Sequence, residues 1–295
     1  MSELSRRTVL RAAGVTAAVA GGVQGVAAEP ARALPAPRTG DNPVVRENRA
    51  PGSDDWCVGR RETRGVSAGR PEIQGYATTA SVAPGETLGL RLSSRVARTC
   101  TVEIYRLGHY DGVRARHLLT AADVPVDRVW RTTVPGDWVS GIFLAVLTTA
   151  GGFRSYAPFV VRDPARVSDV LVVVPLGTTR AAHPGLGLPE EFGTDTSASR
   201  WLEAAGYDVT YATEEDLHAG RVAADRHTAV VLAGAAASAR RPGRTRAAVG
   251  RAPGATVLSR PLRLSEPGHV DDAARQAAAR HLDRVLTAAT GTPGN

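Results

Sequence analysis

The pattern of apolar residues differs between two parts of the chain. Between residues 71 and 162, apolar and polar residues alternate in short runs, and Leu88, Leu90 and Leu92 show the pattern best. Alternation with a period of two predicts strands that bury one face. Short strands separated by glycine- and proline-containing turns are typical of a β-sandwich. Because Asp163-Pro164 ends this rhythm, we predict a sandwich domain over residues 52–163.

From Val167 onward the pattern changes. Residues 170–174 are a continuous apolar run, which is typical of a parallel strand buried on both faces. Helical spacing follows at 198–205 and strand-like runs at 209–211, 227–233 and 255–258, while Thr213 and Asp216 form a capping-box-like start of another helix. Strands that alternate with helices predict a parallel sheet. The fold class is therefore all-β followed by α/β, with the α/β domain at residues 167–292.

The first 51 residues show neither the strand-like alternation nor the alternating strand and helix patterns. Arg6-Arg7 precedes an uncharged apolar stretch, and small residues lead up to Glu29. This pattern predicts a twin-arginine export signal over residues 1–28 and an extracellular or cell-envelope location. The stretch is too short and too weakly apolar for a stable membrane span. Residues 29–51 are rich in proline, alanine and arginine without periodicity, so we predict a disordered linker there.

Charge and cysteine content refine this interpretation. The net charge is +7, and arginine supplies every basic side chain. Neither runs of five arginines nor interleaved aromatic residues occur, so the sequence does not favour a nucleic-acid partner. In an oxidising compartment Cys57 and Cys100 are predicted to form a disulfide, with two separate buried thiols as the alternative.

Three residues are candidates for catalysis. Ligands of open parallel sheets gather at the carboxyl ends of the strands. His183 follows the first predicted α/β strand, Tyr211 ends the second, and Asp216 opens the next helix. A histidine there could bind a metal or move a proton. The alternative is that His183 is an exposed loop residue and that Asp216 serves the helix start.

Four separated segments together resemble one known family. They are Tyr105–Gly112, Val134–Gly141, Pro158–Asp163 and Trp201–His218. In this order they are similar to the large (beta) subunit of N,N-dimethylformamidase, and the chain is identified as a divergent member of that family. The resemblance implies a β-sandwich joined to a glutamine-amidotransferase-like α/β domain. It also implies amide hydrolysis at a mononuclear iron held by two tyrosines and a glutamate.

Two departures from the family pattern concern this chemistry. Where the family carries Thr-Trp-Gln-Ala-Tyr-Asn, this chain has Ala182 at the tyrosine position. Where the family carries Gly-His-Asp-Glu-Tyr-Trp, residues 234–238 read Gly-Ala-Ala-Ala-Ser. Alanine can neither coordinate a metal nor transfer a proton. Tyr207 and Tyr211 stand where the family has tyrosines, and neither is assigned as a ligand.

The first hypothesis is therefore an exported family member that keeps the scaffold but not the hydrolytic site. It predicts a binding or structural role toward a small-molecule or surface ligand, and no cofactor; iron is expected only if the family site were retained. The alternative is an enzyme, an amide hydrolase with a rebuilt site that uses His183, Tyr211 and Asp216. A third hypothesis, a carbohydrate- or surface-binding sandwich, follows from fold analogy alone.

Overall fold

The structure, a computed structural model, is rich in β-strands. It describes residues 40–67, 69–174, 176, 196 and 199–233, together with the backbone of 256–258, all within the compact unit Ala31–Asn295. Helix α1 is Pro43–Asn48, α2 is the helical segment 199–204, and α3 is Glu214–His218. The strands are β1 Arg64–Gly65, β2 Ile73–Ala77, β3 Ser81–Val82, β4 Thr87–Ser94, β5 Thr99–Leu107, β6 Ala115–Pro125, β7 Val129–Thr133, β8 Gly141–Thr148, β9 Phe153–Val161, β10 Val170–Val174, β11 Val209–Thr213, β12 Ala229–Leu232 and β13 Thr256–Leu258.

Two sheets form the sandwich. One has the order β1-β9-β8-β5-β6 with β3 also paired to β9, and the other has the order β2-β4-β7. The first sheet is mixed, because β1 and β3 run parallel to β9 while its other pairings are antiparallel. The alternation in β4 points Leu88, Leu90 and Leu92 into the core between the sheets, where each is at most 1% exposed. The predicted strand pattern is confirmed here.

A third layer lies on the other face of the larger sheet. Its four strands have the order β11-β10-β12-β13, and every pairing is parallel. Strand β8 lies between two cores: Leu144 faces this layer, whereas Phe143 faces the smaller sheet. Strand β10 is also buried on both faces, as its continuous apolar run predicts, with Val172 and Val173 in different cores. None of the helices in the described part of the chain is long and apolar enough to cross a membrane.

The predicted linker is wrong for residues 40–51, which are ordered around α1. The side chain of Asn42 caps this helix by accepting a hydrogen bond from the Val45 N–H at 2.9 Å, and Pro43 occupies the first turn. Both are ordinary helix-start residues. Val44 is fully buried in the core between the larger sheet and the parallel sheet. One apolar residue and a cap therefore anchor a segment whose composition predicts disorder. Residues 1–39, including the predicted export signal, lie outside the described residues.

The predicted disulfide is absent, because both thiols are free. Cys100 is buried in the core between the two sandwich sheets, where burial raises the pKa of its thiol to about 11. The Cys57 carbonyl accepts a hydrogen bond from Arg154, which comes from β9 and also contacts Glu103. Tyr156, two residues further along the same face of β9, packs toward the parallel sheet. The two cysteines therefore lie on opposite faces of the larger sheet, which separates their sulfur atoms.

Candidate functional site

A fully buried ion pair joins the sandwich to the parallel layer. Arg106, near the end of β5, donates to Glu203 on α2, with Nη2 2.8 Å from Oε1 and Nη1 3.2 Å from Oε2. Neither side chain has any exposed surface. The guanidinium also donates to the carbonyl oxygens of Ser140 at 3.0 Å and Val139 at 3.3 Å. Such bidentate geometry with additional acceptors is what a buried charge pair requires to be tolerated.

Two further donors complete the shell of Glu203. The Tyr211 hydroxyl donates to Oε1 at 2.7 Å, and the Asn48 amide donates to Oε2 at 2.8 Å. Each carboxylate oxygen therefore accepts two hydrogen bonds. Burial raises the pKa of Tyr211 well above its usual value, and the neighbouring Glu203 carboxylate adds to this rise. Burial alone would lower the pKa of Arg106, but Glu203 together with Tyr110 and Tyr211 outweighs it, and the pKa is raised. The raised pKa values favour a charged Arg106 and a neutral Tyr211.

The contacts extend from the ion pair to α1. The Tyr110 hydroxyl accepts from Arg106 Nη1 at 3.1 Å and donates to Glu47 Oε1 at 2.8 Å. Arg116 donates to the other oxygen of Glu47 at 2.8 Å. Burial is the main cause that raises the pKa of Tyr110. We call this set the interlayer network, and its members are Glu47, Asn48, Arg106, Tyr110, Glu203 and Tyr211.

Two glycines make room for the network. A Cβ atom at Gly108 would lie 2.6 Å from Glu203 Oε2 and 2.7 Å from Arg106 Nη1. A Cβ atom at Gly141 would lie 2.7 Å from Arg106 Nε. Real Cβ contacts are not this short, so any side chain at either position would push the guanidinium out of place. The two positions fall in two of the segments that carry the family resemblance.

Two of the three predicted catalytic residues, Tyr211 and Asp216, have different hydrogen-bond partners in the structure. Tyr211 lies in the interlayer network, and its backbone N–H donates to Ser140 Oγ at 3.0 Å. Asp216 has no exposed surface and closes the capping box of α3, which confirms the predicted helix start. Its carboxylate also accepts from Ser81 at 2.6 Å and Arg221 at 2.7 Å. No contact joins Tyr211 to Asp216 among the described side chains, and His183 lies outside the described residues.

Sequence reasoning missed most of the interlayer network. Arg106 and Glu203 are 97 positions apart, and neither periodicity nor motif spacing connects them. Asn48 was assigned to the linker. One signal was available: Arg106, Glu203 and Tyr211 all lie within the segments that resemble the family. A charged residue inside a strand that is otherwise buried is a further signal, because an unpaired charge would be too costly there.

The described members of the network do not fit an iron centre of two tyrosines and a glutamate. A tyrosine binds iron as a phenolate, whereas the Tyr211 hydroxyl donates a hydrogen bond to Glu203 Oε1 at 2.7 Å. Glu203 has no free oxygen, because each one already accepts two hydrogen bonds. Tyr207 is buried and lies 5.8 Å from Trp201 between ring centroids. Within the described part of the chain, no cluster of three histidine, cysteine or acidic side chains could hold a metal.

Comparison with known proteins supports the resemblance. The model of the family "N,N-dimethylformamidase beta subunit-like, C-terminal" matches residues 101–182 and 178–235. These residues carry Arg106, Glu203 and Tyr211. No curated protein matches the chain.

Three solved structures illustrate the structural matches. A Paenibacillus sp. cycloisomaltooligosaccharide glucanotransferase has 13% identity over 57% of this chain and 20% of its own, with a TM-score of 0.24. A superoxide reductase from Ignicoccus hospitalis has 14% identity over 30% of this chain and 79% of its own, with a TM-score of 0.21. The sulfur carrier protein SoxY from Chlorobium limicola has 13% identity over 34% and 84%, with a TM-score of 0.21. Scores this low carry no functional argument.

Proposed function

We propose, since the chain belongs to the N,N-dimethylformamidase beta subunit-like family, that it is an exported member that keeps the family scaffold without the amide-hydrolysing iron site. In this proposal the parallel layer has the glutamine-amidotransferase-like arrangement that the family resemblance implies. The protein then acts through binding or as a structural component, and its ligand is a small molecule or a surface. Four parallel strands packed on a sandwich are consistent with this scaffold.

The proposal is supported by the contacts of Glu203 and Tyr211, which are both engaged in the buried network around Arg106. A hydrolytic metal site keeps an open coordination position and ligands whose lone pairs face the metal. Here a buried guanidinium, Arg106, takes the place that a cation would need beside the carboxylate. A second cation next to Arg106 in the same buried space would be strongly repelled. The geometry therefore favours a structural role for Glu203 and Tyr211, which hold the two layers together, over a role as metal ligands.

The differences between this sequence and the family motifs also support the absence of an iron site. Ala182 replaces a tyrosine of the family pattern, and residues 234–238 lack the histidine, aspartate, glutamate and tyrosine of its second motif. Loss of one direct ligand usually disables a metal site, because the remaining ligands no longer hold the ion in its geometry. Two separate losses leave His183 as the nearest substitute in the sequence.

We expect purified protein to bind iron at well under one atom per chain and not to hydrolyse N,N-dimethylformamide. Elemental analysis after anaerobic iron loading measures the first, and release of dimethylamine measures the second. The Tyr211→Phe variant is the matched control, since it removes only one hydroxyl. Stoichiometric iron that disappears in this variant would replace the proposal with the alternative, an amide hydrolase with a rebuilt site that uses His183, Tyr211 and Asp216.

Export is tested separately. Changing both Arg6 and Arg7 to lysine should keep the protein inside the cell, because the twin-arginine route reads that pair and not its charge alone. Fractionation of cells followed by immunoblotting measures the location. Arg11→Lys is the control, because it changes the same residue type four positions downstream and should leave export unchanged. Equal secretion of the Arg6, Arg7 double variant and the control would refute the export signal.

A further inference from the structure

The side-chain carboxamide of Asn48 has every hydrogen-bonding position filled. Its oxygen accepts from the backbone N–H groups of His109 at 2.8 Å and Tyr110 at 3.0 Å. Its nitrogen donates to Glu203 Oε2 at 2.8 Å and to the Val44 carbonyl at 2.9 Å. A primary amide can accept two hydrogen bonds and donate two. Except for the Val44 carbonyl, these partners come from outside α1 and belong to the sandwich and to α2.

The backbone that receives the oxygen has an unusual conformation. His109 is right-handed, with φ −83° and ψ −56°, and Tyr110 has a left-handed φ of +41°. A right-handed residue followed by a left-handed one turns successive N–H groups toward one point, which forms a nest for a negative or partly negative atom. A tyrosine rarely adopts a positive φ, and such strain is typical of functional positions. The strained turn therefore holds two donors ready for a carbonyl oxygen.

The nitrogen of the Asn48 carboxamide donates to Glu203, whose position is fixed by other contacts. Glu203 is held in place by Arg106 and Tyr211, so its Oε2 presents a negative charge in a constant position. An N–H donor is favoured there, and a carboxylate ligand would be repelled. The distance between nest and carboxylate matches one carboxamide, because Asn48 spans it with contacts of 2.8–3.0 Å. A tertiary amide has no N–H and could satisfy only the nest.

We propose that Glu203 and the nest at His109-Tyr110 form a binding site for primary carboxamides, and that Asn48 is its resident occupant. Asn48 itself is only partly buried, whereas the Glu203 side chain has no exposed surface, so the site is open to solvent on the side of α1 alone. Helix α1 has six residues, too few to be stable without tertiary contacts. The asparagine is thus an internal ligand on a short segment, and a free carboxamide can take its place when the side chain is missing. This inference stands independently of whether the chain hydrolyses amides.

The test is rescue of a truncated side chain. Asn48→Ala leaves the backbone N–H groups of His109 and Tyr110 without their acceptor and removes one of the two hydrogen bonds to Glu203 Oε2. We therefore expect the melting temperature to fall by roughly 5 °C. Acetamide should restore about half or more of this loss, with a saturable dependence on concentration, because it binds only the folded variant. N,N-dimethylacetamide is the matched ligand control, since it has a similar shape but no N–H donor.

A second asparagine provides the matched variant. Asn42→Ala removes another carboxamide from the same segment, where it caps α1 and donates to the Gly206 carbonyl at 3.1 Å. This variant still carries Asn48, so acetamide should not raise its melting temperature. Equal rescue of the two variants, equal rescue by both amides, or no rescue of Asn48→Ala would overturn the proposal. If Asn48→Ala does not accumulate as folded protein, refolding from urea is scored instead: recovery with acetamide alone supports the site, and no recovery refutes it.

Discussion

Replacing Arg106 by methionine is expected to lower the free energy of unfolding by about 3–5 kcal/mol, because it leaves the Glu203 carboxylate buried without its counter-charge. Methionine has nearly the length of the arginine stem, so the change removes the charge with little loss of packing. The effect is large because both partners have no exposed surface, and water cannot compensate for the lost guanidinium. Urea unfolding followed by circular dichroism measures the change.

Two further variants distinguish the effect of the unpaired buried charge on the free energy of unfolding from a general loss of packing. The double variant Arg106→Met, Glu203→Gln removes both charges and should lose less stability than Arg106→Met alone. Arg49→Met breaks an ion pair with the same 2.8 Å separation, Arg49 to Asp41, whose side chains are 66% and 53% exposed. It should cost about 0–1 kcal/mol. Similar losses for Arg49→Met and Arg106→Met would contradict the central role given to burial.

The strands could be predicted from the sequence because their signal is local. Alternating leucines in β4 and the continuous apolar run of β10 each report how many faces of a strand are buried. The structure confirms both, with Leu90 in one core and Val172 and Val173 in two different ones. The capping box at Thr213 and Asp216 is equally local and is also confirmed.

Features that depend on distant residues could not be predicted in this way. Helix α1 has the start signal Asn42-Pro43, but its order depends on Val44 entering a core built by strands far along the chain. The ion pair of Arg106 and Glu203 joins residues 97 positions apart. The disulfide between Cys57 and Cys100 was predicted wrongly for the same reason. The sequence shows that two cysteines are present, but it does not show that they lie on opposite faces of the larger sheet.

The resemblance gave a non-local signal that periodicity lacks. Three of its segments supply Arg106, Ser140, Glu203 and Tyr211, which meet at the junction of the larger sheet with the parallel layer. Residues that converge in space from separated motifs need not be catalytic. Here they join the larger sheet to the parallel layer through hydrogen bonds and a buried ion pair.

Asp216 makes the second large contribution to stability that we expect. Its carboxylate accepts hydrogen bonds from the Thr213 N–H at 2.8 Å and the Thr213 hydroxyl at 2.7 Å, besides those from Ser81 and Arg221. Ser81 belongs to the sandwich, so this residue also links the two layers. Asp216→Asn replaces one accepting oxygen by a donor and turns attractive contacts into repulsive ones. We expect a loss of about 3 kcal/mol at neutral pH, measured by urea unfolding.

The same residue predicts a dependence on pH. Burial alone would raise the pKa of Asp216, but the hydrogen bonds from Ser81, Thr213 and Arg221 outweigh it and hold the pKa below its ordinary value of 3.8. A carboxyl whose pKa is lowered by folding stabilises the protein above the pKa of the unfolded chain, and this contribution is lost as the pH falls through the folded value. The stability gap between the natural protein and Asp216→Asn should therefore be constant above about pH 5 and shrink below pH 3.8.

Measurements at pH 7 and pH 3 distinguish this mechanism from loss of shape. Asp225→Asn is the control, because Asp225 is exposed beside the same layer and its replacement should change stability by less than about 0.5 kcal/mol. A gap for Asp216→Asn that stays equal at both pH values would mean that the ionised carboxylate is not the source of the stabilisation. A gap that shrinks on acidification, with Asp225→Asn unchanged throughout, assigns it to the charge that links Ser81, Thr213 and Arg221.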